Sequence, residues 1–110
     1  MSAILIPVAA RIAAALNVTN GEDEHEAAMR LMKVAEEAGE ASAAYIGMTG
    51  QNPRKGISHT TADVADELCD VIIAATVALH SFTATPAADL TAKLDAVARR
   101  MAGNAAQRGL

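Results

Sequence analysis

Carboxylates concentrate in two short segments of the chain. The first spans residues 33–40 and reads Lys-Val-Ala-Glu-Glu-Ala-Gly-Glu. In a helix its acids, Glu36, Glu37 and Glu40, share one stripe with Lys33, because residues three, four and seven apart lie on the same face. The like charges of Glu36 and Glu40 then repel by about 0.2–0.5 kcal/mol, and Lys33 offsets only part of this. Such a face is either solvated or occupied by a cation.

The second segment contains Glu67 and Asp70, three residues apart in an otherwise apolar stretch. Their apolar neighbours are Val64, Ala65, Leu68, Cys69, Val71, Ile72 and Ile73. A helix that is apolar nearly all round is buried on most faces. Carboxylates in such surroundings lose several kcal/mol by desolvation unless they are paired or bound to metal. Since few basic residues lie nearby in the sequence, a divalent cation is the economical partner.

Two acidic pairs on facing helices would direct four oxygen-bearing groups to one point. This donor set suits Mg²⁺, with Mn²⁺ as an alternative, because hard cations prefer carboxylate, water and phosphate oxygens. A dinuclear iron site in a helix bundle needs Glu-x-x-His on two helices. Glu22 with His25 is the single such pair in the sequence, so a magnesium site is the favoured prediction.

The elements that must position these acids are predicted from apolar periodicity, turn residues and caps. Four helices are expected, at about residues 7–16, 22–48, 60–81 and 85–102. The segment Thr49–Thr60 is rich in turn residues and is expected to be an exposed, mobile loop. Thr60 followed by Asp63 resembles a capping box. Gly103 is expected to end the last helix, and residues 104–110 to be frayed.

The composition favours one all-α domain over residues 1–110, with the motif-bearing core at about 22–84. Hydrophobic residues make up 52%, many of them alanine, and aromatic residues only 2%, which favours closely packed helices. We expect a bundle of three to four helices completed by oligomerisation, since apolar helices in so short a chain leave uncovered surface. The formal net charge of -4, without a dense basic segment, argues against a nucleic-acid duplex as partner.

The sequence also indicates in which cellular compartment the protein resides. Cys69 is the single cysteine, which excludes an intrachain disulfide and fits a reducing environment. Residues 1–8 lack the basic stretch and cleavage pattern of a signal peptide. The longest uncharged apolar stretch, Val71–Leu79, is shorter than the roughly 20 residues that a membrane span needs. A cytoplasmic protein without membrane association is therefore expected.

The two acidic segments, taken in order, resemble a known family. The pattern Glu36-Glu37-x-x-Glu40, followed after 26 residues by Glu67-x-x-Asp70, resembles the MazG-like branch of the all-α nucleoside triphosphate pyrophosphohydrolases. With the flanking helices, the resemblance covers about residues 26–79. Each half is weakly specific alone, and the ordered pair is fairly specific. The chain departs from the family at a cysteine in the second motif, where glycine is common, and in having few aromatic residues to stack on a base.

The resemblance implies a fold, a reaction and a set of roles. The reaction is hydrolysis of a (d)NTP between its α and β phosphates, giving the monophosphate and pyrophosphate. The metal ligands would be Glu37, Glu40, Glu67 and Asp70. Glu36 would orient or deprotonate the attacking water. Members of the family are commonly dimers or tetramers, so a homodimer or homotetramer is expected.

Three cations are candidates for phosphate contacts. Lys33 lies on the acidic stripe, and Arg54 and Lys55 lie in the loop between the two motifs, which could close over a triphosphate. Taken singly, each is somewhat better explained as an ordinary surface cation. The basic residues Lys93, Arg99 and Arg100 resemble a downstream basic segment of the family and would serve a neighbouring subunit or keep the surface solvated.

Two alternatives stay open at this point. One is a noncatalytic helical module of the same fold that serves assembly or regulation. The other keeps the metal and the phosphate chemistry but changes the substrate, since related all-α enzymes act on dUTP, dCTP or phosphoribosyl-ATP. Metal binding distinguishes the first alternative from an enzyme, and a substrate panel distinguishes the second from a general NTP hydrolase.

Overall fold

The computed structural model describes residues 3–109, and within that range the chain forms four α-helices and no strand. The helices are α1 (Leu5–Asn20), α2 (Glu24–Thr49), α3 (Thr61–Leu79) and α4 (Pro86–Gln107). The all-α prediction is confirmed. Among these helices, none combines the length and the apolar character needed to cross a bilayer.

The ends of α2 and α3 follow from the local sequence. Asp23 caps α2 by accepting a hydrogen bond from the backbone N–H of Glu26 at 2.9 Å. Gly50 ends α2 in the left-handed region, at φ +67°, which glycine adopts without steric cost. The predicted capping box at the start of α3 is confirmed, since the side chains of Thr60 and Asp63 each accept from the other's backbone N–H.

The outer helices, α1 and α4, are longer than predicted. Pro7 lies inside the first turn of α1, where a missing N–H costs no intrahelical bond. The expected stop at Gly103 is wrong, because α4 continues to Gln107. An exposed helical glycine costs about 1 kcal/mol relative to alanine, and the alanines around Gly103 favour continuation. Most of the tail expected to be frayed is therefore helical, and Leu110 lies outside the described residues.

The loop between α2 and α3 is exposed from Gln51 to Ser58, as predicted. Its return is fixed to α2 by a hydrogen bond from the backbone N–H of Ser58 to the carbonyl oxygen of Gly47, at 2.9 Å. A Cβ atom on Gly47 would overlap the side chains of Ser58 and His59. Glycine at this position therefore lets the loop pack closely against the last turns of α2.

Small side chains bring the first three helices together. α2 packs against α3, and α1 also packs against α3. The contact between α1 and α3 is built from Ala9, Ala13 and Val77, and α2 contributes the buried Ala41 and Ala44. Because interaxial distance depends on the side chains at the contact, alanine allows a close approach. We call α1, α2 and α3 together the body.

The fourth helix is different, since α4 contributes no buried residue and packs little against the body. The described residues have a radius of gyration of 17.7 Å. A compact chain of this length has a radius of gyration of about 13 Å. The helix α4 therefore projects from the body instead of completing a compact bundle within one chain.

Candidate metal centre

The two acidic segments meet where α2 packs against α3. Glu37 of α2 and Glu67 and Asp70 of α3 each place a carboxylate oxygen within 4.8 Å of the others. Glu37 is only 9% exposed, because it lies one and two turns before Ala41 and Ala44 on the buried stripe of α2. We call Glu37, Glu67 and Asp70 the carboxylate cluster. The spacing in the sequence predicted that these three acids share one site, and the packing brings them together.

Glu40, the fourth predicted ligand, is exposed and is not among the carboxylates within 4.8 Å. It nevertheless lies close enough to act on the cluster. Burial raises the pKa of Glu67 above its ordinary value, and the negative charge of Glu40 is the next largest cause, ahead of Asp70 and Glu37. Glu40 is therefore an electrostatic neighbour of the carboxylate cluster.

Two oxygens of the cluster are buried without a partner. Glu37 Oε2 and Glu67 Oε2 make no hydrogen bond to any residue that the structure describes. Buried polar atoms nearly always have a partner, and a buried ionised oxygen without one is costly. A donor set made only of carboxylate oxygens, with two of them unpartnered, fits a divalent cation of the Mg²⁺ type.

Lys33 is the cation nearest to the cluster along α2. Its Nζ pairs with Glu37 Oε1 at 3.0 Å and also with Glu36. Hydrogen bonds to these two carboxylates raise the pKa of Lys33 well above its usual range. Lys33 thus neutralises one oxygen of Glu37 and leaves the other unpartnered.

Glu36, the predicted catalytic residue, is exposed, with 59% of its side chain accessible. Its carboxylate pairs with Lys33, and it lies outside the group of carboxylates within 4.8 Å. Glu36 therefore borders the carboxylate cluster through Lys33, on the solvent side.

The two predicted phosphate contacts of the loop, Arg54 and Lys55, are fully accessible to a ligand. Both are exposed, and neither side chain forms an ion pair among residues 3–109. The backbone N–H of Arg54 donates to Asn52 Oδ1 at 3.2 Å, which shapes the turn. The structure leaves both cations available but does not bring them into contact with the carboxylate cluster.

Sequence reasoning missed Arg30, which is 6% exposed. Its Nε donates to Glu26 Oε2 at 2.8 Å, Nη1 to Ser81 Oγ at 3.1 Å and Nη2 to the carbonyl oxygen of Gly21 at 3.2 Å. Arg30 therefore ties α2 to the turn before it and to the turn after α3. A Glu four residues before an Arg on a helix was the available signal. The residues that Arg30 reaches outside α2 are not visible in the sequence.

In comparisons with known proteins, neither a family model, nor a curated protein, nor a solved structure matches this chain. The resemblance to MazG-like pyrophosphohydrolases therefore stays a prediction that comes from the two acidic segments. Support for a function comes instead from the burial, the charge and the unpartnered oxygens of the carboxylate cluster.

Proposed function

We propose that this chain is a Mg²⁺-dependent nucleoside triphosphate pyrophosphohydrolase, with Mn²⁺ as a substitute metal. It converts a (d)NTP to the (d)NMP and pyrophosphate. The observation that supports this most is the carboxylate cluster with its two buried, unpartnered oxygens. A merely solvated acidic face would leave its oxygens in water. We place the activity in the cytoplasm, where a reducing environment suits the free thiol of Cys69.

The metal would be held by Glu37, Glu67 and Asp70, with Glu40 adding negative charge beside them. A divalent cation at this position neutralises charge on the polyphosphate and makes water a better nucleophile. The residues of the cluster lie on two packed helices, so their positions are fixed before substrate binds. Preorganised charge of this kind is the main contribution that a protein makes to phosphoryl transfer.

In the proposed reaction, the oxygen of a water molecule forms a bond to the α-phosphorus. The bond from the α-phosphorus to the α–β bridging oxygen breaks, and pyrophosphate leaves with that electron pair. Glu36 accepts the proton of the water and returns it to solvent, for which its exposed position is suited. Lys33, Arg54 and Lys55 contact phosphate oxygens and offset the negative charge of the triphosphate.

The test is release of pyrophosphate from a panel of NTPs and dNTPs, with Mg²⁺, with Mn²⁺ and without metal. The panel includes dUTP, dCTP and phosphoribosyl-ATP, which separate a general hydrolase from a specific relative. The variant Glu67→Gln removes one ligand, and Asp66→Asn is its matched control, since Asp66 is an exposed neighbour outside the carboxylate cluster.

Metal-dependent release that is lost in Glu67→Gln and kept in Asp66→Asn is the expected result. No release from any nucleotide by folded protein would contradict the proposal and favour the noncatalytic module. Equal activity in the two variants would contradict the assignment of the site while keeping the reaction.

We also propose that the chain assembles into a homodimer or homotetramer. Leu94 and Met101 of α4 are 49% and 64% exposed, and they lie on one stripe of the helix. An exposed apolar stripe on a helix that packs little against its own chain indicates a partner. The charges fit a second copy, because residues 86–110 carry four basic and two acidic side chains, against five and eleven in residues 1–85.

A further inference from the structure

A cleft of about 410 Å³ opens beside the carboxylate cluster, between α1, α2 and α3. Its charged lining includes Glu37 and Asp70 of the cluster together with Lys33 and Arg30. Its apolar wall consists of Ile12, Leu16, Ile73, Ala74 and Val77. The volume lies within the range of about 300–1,000 Å³ that is typical of small-molecule sites.

The apolar wall continues directly from the site along α3. Ala74 is four residues beyond Asp70, and Val77 is seven, so all three share one face of the helix. At a rise of 1.5 Å per residue, Ala74 and Val77 lie roughly 6 and 10 Å along the axis from the level of Asp70. A molecule whose anionic end is held by a metal ion at Asp70 would therefore extend its other end along an apolar surface.

The wall is preformed. Leu16 and Ile73 pack against the buried core of Ala9, Ala13 and Val77, which fixes the surface that they present. Ile12 stays 37% exposed at the edge. A rigid apolar surface that remains partly uncovered gains stability when a ligand with a flat, weakly hydrated face covers it.

We infer that this cleft receives the base and sugar of the nucleotide whose phosphates bind at the carboxylate cluster; the inference rests on the proposed function. The five side chains of the apolar wall contain no hydrogen-bonding group. Three of the five N–H groups of Arg30, the nearby polar residue, already donate within the protein. With few free donors beside an apolar wall, the cleft selects its ligand mainly by size and shape.

A second consequence concerns specificity. Apolar pockets discriminate weakly between ligands that fit, and strong discrimination needs hydrogen-bonding groups that are left unpaired by the wrong ligand. The values of kcat/KM for the common NTPs should therefore lie within about 100-fold of one another. A preference above this range for a single base would overturn the assignment of the apolar wall as the base site.

The direct test fills the cleft with Ala74→Leu and uses Ala75→Leu as the matched control, since Ala75 is an exposed neighbour outside the cleft. Ala74→Leu should raise KM for an NTP about tenfold and leave kcat unchanged. Inhibition by inorganic tripolyphosphate, which lacks base and sugar, should be the same in both variants and in the unsubstituted protein.

Should Ala74→Leu fail to fold, Ile12→Ala with the control Val8→Ala carries the same test, because the two residues have similar exposure on α1 and only Ile12 lines the cleft. An unchanged KM in folded Ala74→Leu would overturn the inference. If the oligomeric state of this variant also changed, the cleft would be assigned to a second copy of the chain. If the unsubstituted protein hydrolyses no nucleotide, the proposed function fails and this inference with it.

Discussion

The buried face of α2 and the exposed face of α4 use charged and apolar residues in opposite ways. The buried residues of α2 are Glu26, Arg30, Glu37, Ala41 and Ala44, so three of the five are charged. A face packed against another helix would be more stable if it were apolar. Charges at such positions indicate that something other than stability determines them. Glu26 is paired with Arg30, whereas the carboxylate cluster is compensated only in part, since Lys33 reaches one oxygen of Glu37.

On α4 the arrangement is reversed. Leu90, Leu94, Val97 and Met101 follow one another at intervals of four, three and four residues, which is the spacing of a coiled-coil seam. None of these residues is buried. Most of the stability of a helix in a protein comes from packing its apolar face against a partner. The body therefore holds the carboxylate cluster, while α4 carries a surface that this chain does not cover by itself.

The largest effect is expected from a substitution in the carboxylate cluster of the body. Asp70→Asn should lower kcat/KM for an NTP at least about a thousandfold, because a preorganised charge at the reacting phosphate is lost. Initial rates of pyrophosphate release measure this. Asp66→Asn is the control and should retain its activity. Full activity in Asp70→Asn would separate the carboxylate cluster from catalysis.

Removing one charge from the carboxylate cluster should make the metal-free protein more stable at neutral pH. The pKa of Glu67 is raised by burial and by neighbouring carboxylates, so its ionised form opposes folding. Glu67→Gln should therefore raise the Tm of the metal-free protein, whereas Asp66→Asn, which removes only the smallest of these causes, should raise it less. Added Mg²⁺ should raise the Tm of the unsubstituted protein and of Asp66→Asn, but not that of Glu67→Gln. An unchanged Tm in Glu67→Gln would mean that the cluster is not under electrostatic strain.

A stability test of the body uses the other charged pair of α2. Arg30→Met leaves Glu26 buried without its partner, which should lower the free energy of unfolding by about 3 kcal/mol. Urea denaturation measures the change. Arg11→Met, at an exposed position on α1, is the control and should change stability by less than about 0.5 kcal/mol. A small loss in Arg30→Met would show that this ion pair opens in solution.

For α4, a substitution should change assembly and leave the fold of the body intact. Leu94→Glu places a charge in the apolar stripe and should weaken self-association by about 2 kcal/mol, or roughly thirtyfold in Kd. Ala92→Glu adds the same charge on the opposite face and should have little effect. Sedimentation at several concentrations distinguishes the variants. A monomer in all three proteins would contradict the proposed assembly.

Much of the body could be predicted from the sequence because its signals are local. Helix spacing of i, i+3 and i+4 places Glu37, Glu67 and Asp70 on the faces that meet, and the capping box marks the start of α3. The position of Glu40 was not predictable, because spacing gives a direction around a helix axis but not the depth of burial. The end of α4 was also misjudged, since Gly103 is tolerated inside an exposed helix.

The contacts of Arg30 could not be predicted from the sequence. Its partners Ser81 and Gly21 belong to two different turns, and only the packing of α2 against α3 brings the turn after α3 to a side chain of α2. The cleft beside the carboxylate cluster is likewise a product of packing, since Ile12 of α1 and Ala74 of α3 share no pattern in the sequence. Long-range neighbours of this kind depend on helix positions, which spacing alone does not determine.

The smallest expected effect concerns the cap that starts the acidic segment of α3. Thr60→Ala removes the acceptor for the backbone N–H of Asp63 and should cost about 1 kcal/mol of stability, measured by urea denaturation. Hydrogen bonds from the backbone N–H and the side chain of Thr60 hold the pKa of Asp63 below its ordinary value of 3.8.

A lowered pKa means that Asp63 stabilises the fold above pH 3.8, and that this stabilisation is lost as the pH falls through its folded-state value. The stability difference between the unsubstituted protein and Asp63→Asn should therefore be constant at neutral pH and shrink below about pH 4. The control for Thr60→Ala is Thr91→Ala, at an exposed position on α4 outside the cap. Because the cap fixes the first turn of α3, a difference that persisted at low pH would mean that Asp63 acts through packing instead of charge.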